Sequence, residues 1–292
     1  MLLNNRVIWK NNTTLTDLSV KLNDFHSGSE VIDIVAADDA IYIGSDLPFN
    51  HRYFEVSVPN AEDSALSVSL WDGSDWKPAV EVIDQTQNVT GKTFSKSGIV
   101  SWVPDRDETW MYARSTEDIP DLATLKIYDF YWIKITFSDD LTAFVDNADP
   151  DPDTEATALS YIGHKFSDDS DLATYYPDLV LTKTLTAFKT GKTNWNEQHI
   201  AGAEEIIKDL RKKRIVWSPN QILEWQQFGL ANLHKTARLI FTSFGENYKD
   251  ERDLAEADYH RAMAMQVFNV DYNKNARLEK SEKIVHTGIR RV

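Results

Sequence analysis

Five side chains near the end of the chain are of types and spacing that could hold a hard cation. Asp271, Asn273 and Asn275 occupy the first, third and fifth positions of a twelve-residue loop, Arg277 the seventh, and Glu282 the twelfth, where a bidentate carboxylate closes a calcium site. Leu278 fills the apolar eighth position. The sixth position, normally glycine, is Ala276, and a non-glycine residue in left-handed backbone costs about 1–2 kcal/mol. The segment that follows, 283–288, reads as extended rather than as a second helix. A turn whose Asn and Asp side chains bond their own backbone is the competing reading. The expectation is therefore no cofactor, with Ca2+ at this degenerate loop as the open alternative.

Other chemistry is sparse. The Gly-Lys-Thr triplets at Gly91 and Gly191 lack the glycine five positions earlier that a phosphate loop needs, since Thr86 and Thr186 stand there. There is neither a Gly-x-Ser-x-Gly elbow nor a His-Glu-x-x-His pair. The seven histidines (26, 51, 164, 199, 234, 260 and 286) are scattered, and no cysteine exists to make a disulfide or thiolate site. No enzyme is expected. Asp149, Asp151, Asp153 and Glu155 could converge on a cation, but Pro150 and Pro152 stiffen that stretch, which reads as a linker.

The chain has 292 residues, 42% of them hydrophobic and 11% aromatic, which excludes a disordered chain. Net charge is −15 and uneven: residues 1–150 hold 25 acidic against 11 basic side chains, the rest 21 against 20. An acidic first half repels phosphate, so gripping of nucleic acid by that half is not expected. Neither a signal peptide nor a run of 18 apolar residues is found, so a soluble protein made inside a cell, with no membrane partner, is expected.

The elements that would position any site divide in two. From Val7 to about Asn147 the pattern is β: Leu66, Val68 and Leu70 alternate with serines, and Phe54, Val56, Val58 and Tyr131, Ile133, Ile135 do the same. Turn signals at Pro48, Pro59-Asn60, Asp72-Gly73, Gly91, Gly98 and Pro104 separate these runs, as in an antiparallel sandwich. Six of the nine tryptophans (9, 71, 76, 102, 110 and 132) lie here; they either fill the core or offer stacking faces to sugars.

Helical spacing dominates after Asn194. Trp195, Ile200, Ala203, Ile207 and Leu210 share a stripe that begins at an Asn194 cap with Glu197 and ends in the basic run 211–214. That run either satisfies the helix dipole or touches a phosphate backbone. Ser218, Pro219 and Gln221 predict a second start, with Ile222, Trp225 and Phe228 inward before Gly229 weakens the helix. Leu230, Leu233, Ala237, Ile240, Phe241 and Phe244 continue the stripe to a Gly245 cap. A last helix from about Asp250 would turn Leu254, Ala257, Ala262, Met265 and Phe268 inward and stop at Val270. Three regions are expected: a β-sandwich at 1–145, a linker and transitional segment at 146–193, and a helical domain at 194–292.

Two resemblances follow from these residues. Tyr42-Ile43-Gly44-Ser45, Leu70-Trp71-Asp72-Gly73-Ser74-Asp75-Trp76, Ser97-Gly98-Ile99-Val100-Ser101-Trp102-Val103-Pro104 and Phe130-Tyr131-Trp132-Ile133-Lys134-Ile135 resemble a β-sandwich domain of tailed-bacteriophage virion proteins. Trp195-Asn-Glu-Gln-His199, Leu233-His234-Lys235-Thr236-Ala237, Val270-Asp271-x-Asn273 and Arg290-Arg291-Val292 look like tailed-phage head–tail adaptor (neck or connector) proteins. The resemblance implies an α+β fold: an antiparallel, jelly-roll-like sandwich followed by a helical bundle with an extended C-terminal arm. It also implies a structural protein of the virion neck, forming a dodecameric ring between the portal protein and a tail or stopper protein. DNA would pass through that ring without specific binding. Lys283, Ile284, His286, Ile289, Arg290, Arg291 and Val292 would be the portal-contacting arm. The alternative is a baseplate or capsid decoration protein whose sandwich binds glycans through Trp71 and Trp76; a third is an inter-protein spacer with no ligand.

Overall fold

The computed structural model describes residues 5–35, 39–104, 110–141, 156–264, 267–271, 273–276 and 283–285, of which 267–268 and 283–285 are described by backbone alone. The fold is α+β, and the chain forms two compact units, one of Met1–Gly163 with Asn273–Arg277, the other of His164–Tyr272 with Leu278–Val292.

The first unit holds strands β1 (Asn5–Asn11), β2 (Thr14–Asp17), β3 (Glu30–Val31), β4 (Ala40–Ser45), β5 (His51–Val58), β6 (Leu66–Trp71), β7 (Trp76–Pro78), β8 (Val80–Asp84), β9 (Gly98–Val103), β10 (Tyr112–Ser115), β11 (Tyr128–Phe137) and β12 (Ala158–Gly163), with one short helix, α1 (Ser19–Leu22). Seven strands form one antiparallel sheet in the order β2-β1-β4-β11-β6-β7, with β10 also on β11; a second runs β3-β12-β5-β9-β8. The period-2 residues explain the pairing. Val68, Leu70, Ile133 and Ile135 of one sheet share a buried cluster with Phe54, Val100, Trp102 and Leu159 of the other. β12 lies beyond the acidic stretch that separates the strand pattern from the rest in sequence, yet it pairs with β5 and β3, so the sheet continues to Gly163.

Strand β4 shows no alternation because both its faces are covered. Ile41 and Ile43 face the inter-sheet cluster, while Ala40 and Tyr42 join a second cluster with Trp71, Ala113, Ile119, Leu122 and Trp132. Gly44 stands opposite Trp132, and a Cβ there would meet the indole ring carbons at 2.9 Å.

The second unit contains α2 (Asp169–Tyr175), α3 (Thr182–Phe188), α4 (Asn196–Lys212), α5 (Gly229–Phe244), α6 (Lys249–Ala264) and a hairpin of β13 (Val267–Asn269) with β14 (Lys283–Val285). Asp168 caps α2, its carboxylate accepting from the amides of Ser170 and Asp171. The α4 stripe is buried as its spacing requires, Trp195, Ile200, Ala203, Ile207 and Leu210 all being inside. Its first helical residue is Asn196, whose amide donates to Asn194 Oδ1 at 3.1 Å.

Three helical expectations need correction. Ser218 and Gln221 do make a capping box, but it closes a single 3-10 turn, Pro219–Gln221. Ile222 then bridges Val270, drawing the chain away from a helical path; a second 3-10 turn, Trp225–Phe228, intervenes, and Gly229 opens α5. Helix α6 ends at Ala264, so Phe268 lies in β13. Its buried face is Ala255, Tyr259, Ala262 and Met263, leaving Leu254 59% exposed and Ala257 outside. Tyr259 sets that phase: its ring lies 4.0 Å under Lys235 Nζ and its hydroxyl donates to Asp209 at 2.7 Å.

Charges zip α4, α5 and α6 together. Lys235, almost fully buried, has Glu205, Asp209 and Glu256 within 3.3–3.9 Å of its ammonium, and Arg238 forms ion pairs with Glu205 at 2.6 Å and Glu256 at 2.8 Å. A buried cation is tolerated because carboxylates from two neighbouring helices converge on it.

Candidate functional site

Asp271 is almost fully buried; its amide donates to the Gln221 carbonyl and its own carbonyl accepts from Gln221 Nε2, both at 2.9 Å. Ala276 adopts φ 56°, so the sixth loop position does take the left-handed conformation without glycine. Asn273 and Asn275 are exposed and belong to the strand unit, whereas Asp271 belongs to the helical unit. Arg277 and Glu282 lie outside the described residues. Among the described residues no group of three or more His, Asp or Glu side chains could hold a metal ion. Asp271 is the one carboxylate of the loop among them, and its backbone serves as a joint to 218–221.

That joint fixes the base of the C-terminal hairpin. Gln221 Oε1 accepts from the amides of Trp217 at 2.7 Å and Ser218 at 3.2 Å, while its Nε2 holds Asp271. One turn further on, the Gln227 amide pairs reciprocally with Asn269: Nε2 donates to its carbonyl at 3.3 Å and Oε1 accepts from its N–H at 3.1 Å. A side-chain amide thus stands in for a strand on the inner edge of β13. The outer edge of β14 pairs with no strand among the described residues.

Of the seven arm residues expected to contact a partner, Lys283 and Ile284 lie in β14, paired to Asn269 and Phe268. The arm begins as half of an intrachain hairpin rather than as a free extended tail. The pairing had no signal in sequence, because a three-residue strand has too short a period to read. His286, Ile289, Arg290, Arg291 and Val292 lie outside the described residues.

The structure also assembles a serine–histidine–aspartate contact that spacing alone could not reveal. Ser167 Oγ lies 2.8 Å from His199 Nδ1, and His199 Nε2 lies 3.1 Å from Asp169 Oδ1. The residue types are those of an acyl-transfer triad, but the ring nitrogens are exchanged, with serine on Nδ1 and aspartate on Nε2, and the environment is that of a core. His199 is 0% exposed, and Ser167 Oγ accepts from Asn232 Nδ2 at 2.8 Å. Asp169 receives the Trp195 amide on both oxygens at 3.1 and 3.2 Å. Burial pushes the imidazole pKa down, against the raising effect of its bond to Asp169, so the ring is held neutral. The network ties the starts of α2 and α4 to α5.

In the strand unit, Asp121 gathers Lys10 at 3.2 Å, Lys134 at 3.0 Å and the Trp76 indole N–H at 3.0 Å. Burial raises its carboxyl, but the bonds and charges of Lys134 and Lys10 outweigh that and hold it at about 2. Trp71 is 2% exposed, and Trp76, partly buried, packs on the same cluster. Trp9, Trp102, Trp110 and Trp132 are likewise packed in or against the two clusters of this unit. No helix among the described residues is long and apolar enough to cross a membrane.

Compared with protein-family models and with curated proteins, the sequence matches none.

Proposed function

We propose that this chain is a structural connector of a tailed-phage virion, a ring-forming adaptor of the neck between the portal protein and a tail or stopper protein. The ring, a dodecamer in this reading, surrounds the DNA channel without gripping DNA specifically. The strand unit is read as a jelly-roll-like sandwich decorating that ring, and the helices as the bundle that carries the arm, residues 283–292, to the portal.

The observation that carries this reading is the outer edge of β14, which pairs with no strand among the described residues. Strand addition needs only backbone donors and acceptors, with alternate side chains setting register. Because the Asn269 N–H and carbonyl both turn to Gln227, away from β14, the groups of Lys283 and Val285, which stand opposite Asn269 and Val267, turn outward. A hairpin whose base is pinned by Gln221 and Gln227 offers that edge at low entropic cost.

Co-purification with portal tests the arm. Val285→Pro removes one outward donor and leaves the Phe268–Ile284 pair in place. Removing residues 286–292 leaves the hairpin whole. Both changes are expected to abolish recovery with portal, and negative-stain imaging of the wild-type complex should show a ring of portal symmetry. Undiminished recovery of both variants, or a complex without a ring, would overturn the reading.

A further inference from the structure

The end of α4 breaks a rule of helix termination. Arg214 N donates to Arg211 O at 2.9 Å and Ile215 N to Leu210 O at 3.0 Å, the two bonds of a Schellman cap, with Ile215 packing in the cluster that holds Leu210. The residue that must turn left-handed in such a cap is usually glycine, and here it is Arg214, at φ 57°. Arg211, Lys212, Lys213 and Arg214 are all exposed. Trp217 follows at 72% exposure between buried Val216 and Ser218, its own amide pinned by Gln221. A rigid backbone therefore holds four cations and a bare indole out in water, and Trp and Arg are the residues that most often anchor interfaces.

A second surface has the opposite charge. Ser64 Oγ donates to Asp139 O at 2.8 Å, and the Ala65 amide to Ser138 Oγ at 2.9 Å, which brings Glu62 and Asp63 alongside Asp139 and Asp140. Glu62, Asp63 and Asp139 are exposed, and one cation, Lys92, lies 3.4 Å from Asp63.

We propose that the basic turn of α4, with Trp217 at its centre, docks on this acidic edge of a second copy of the chain. Because the two surfaces differ, the contact can repeat head to tail from copy to copy, and heterologous contacts of this kind close into rings or run on as filaments. The proposal rests on the ring reading above for its closure and deepens it by naming the surfaces. Nucleic acid fits the patch less well, because the chain as a whole carries a net charge of −15 and repels phosphate at long range.

Charge-swap complementation of the full chain, read by sedimentation velocity without portal, tests it. The wild type should self-associate more strongly at low salt. Trp217→Ala, the pair Arg211→Glu with Lys213→Glu, and the pair Asp63→Lys with Asp139→Lys should each weaken association by about tenfold or more. Mixing the two charge-reversed chains should restore it as a mixed species. A wild type that stays monomeric, reversals without effect, or a mixture that does not associate would overturn the proposal. So would loss of binding to a DNA oligonucleotide in Trp217→Ala with association unchanged. Thermal melting confirms each fold; should a reversed pair fail to fold, Trp217→Ala still decides. The arm's portal contact is assayed separately, so either reading can fail alone.

Discussion

Gln221 Nε2 donates to the carbonyl of Asp271 at 2.9 Å, linking two buried residues fifty positions apart. The same side chain accepts from the amides of Trp217 and Ser218, so one neutral amide holds both the basic turn and the root of the C-terminal hairpin. Replacing it with the isosteric but apolar Met removes all three of these hydrogen bonds. Gln221→Met should cost about 2–4 kcal/mol of unfolding free energy, measured by urea denaturation. It should also weaken both portal recovery and self-association.

Acid should loosen the helical unit in a defined window. Burial depresses the pKa of His199 and of His234, in each case against a raising aspartate. A histidine whose folded pKa is lowered binds its proton more readily when unfolded. Stability is therefore full above the ordinary value of about 6.5 and falls as pH drops below it. The depressed carboxyls of Asp121 and Asp168 titrate below the ordinary carboxylate range and contribute to a separate, lower transition. Thermal melts should show a loss between about pH 6.5 and 5 that is smaller in His199→Gln.

Gly44 of β4 pairs with Trp132 of β11, leaving no room for a Cβ beside the indole. Gly44→Ala would drive a methyl into Trp132, which is 0% exposed. Overpacking of this kind costs about 1–3 kcal/mol, and denaturation monitored by tryptophan fluorescence should report it.

Arg214→Gly should act in the opposite direction. Relieving a left-handed non-glycine residue in a cap should stabilise the monomer by about 1 kcal/mol and raise Tm by roughly 2–4 °C. The same change removes one cation of the basic turn, so self-association should weaken while the melting temperature rises. A fall in Tm would count against the strained cap.

Residue order alone made the local elements legible: alternating strands such as 66–70, the α4 stripe from Trp195 to Leu210 and the Ser218 box. These depend on periodicity and on hydrogen bonds within a few residues, which a single sequence displays. What long-range partners impose emerged only in the folded chain. It placed β12 in the second sheet and cut the helix after Ser218 short through the bridge from Ile222 to Val270. It also rotated α6 so that Tyr259, not Leu254, meets Lys235. The contacts among Ser167, Asp169 and His199, and the cradle of carboxylates around Lys235, join residues 21 to 32 positions apart. No spacing rule reaches that far, because packing of whole helices, rather than local propensity, selects which polar groups meet in the interior.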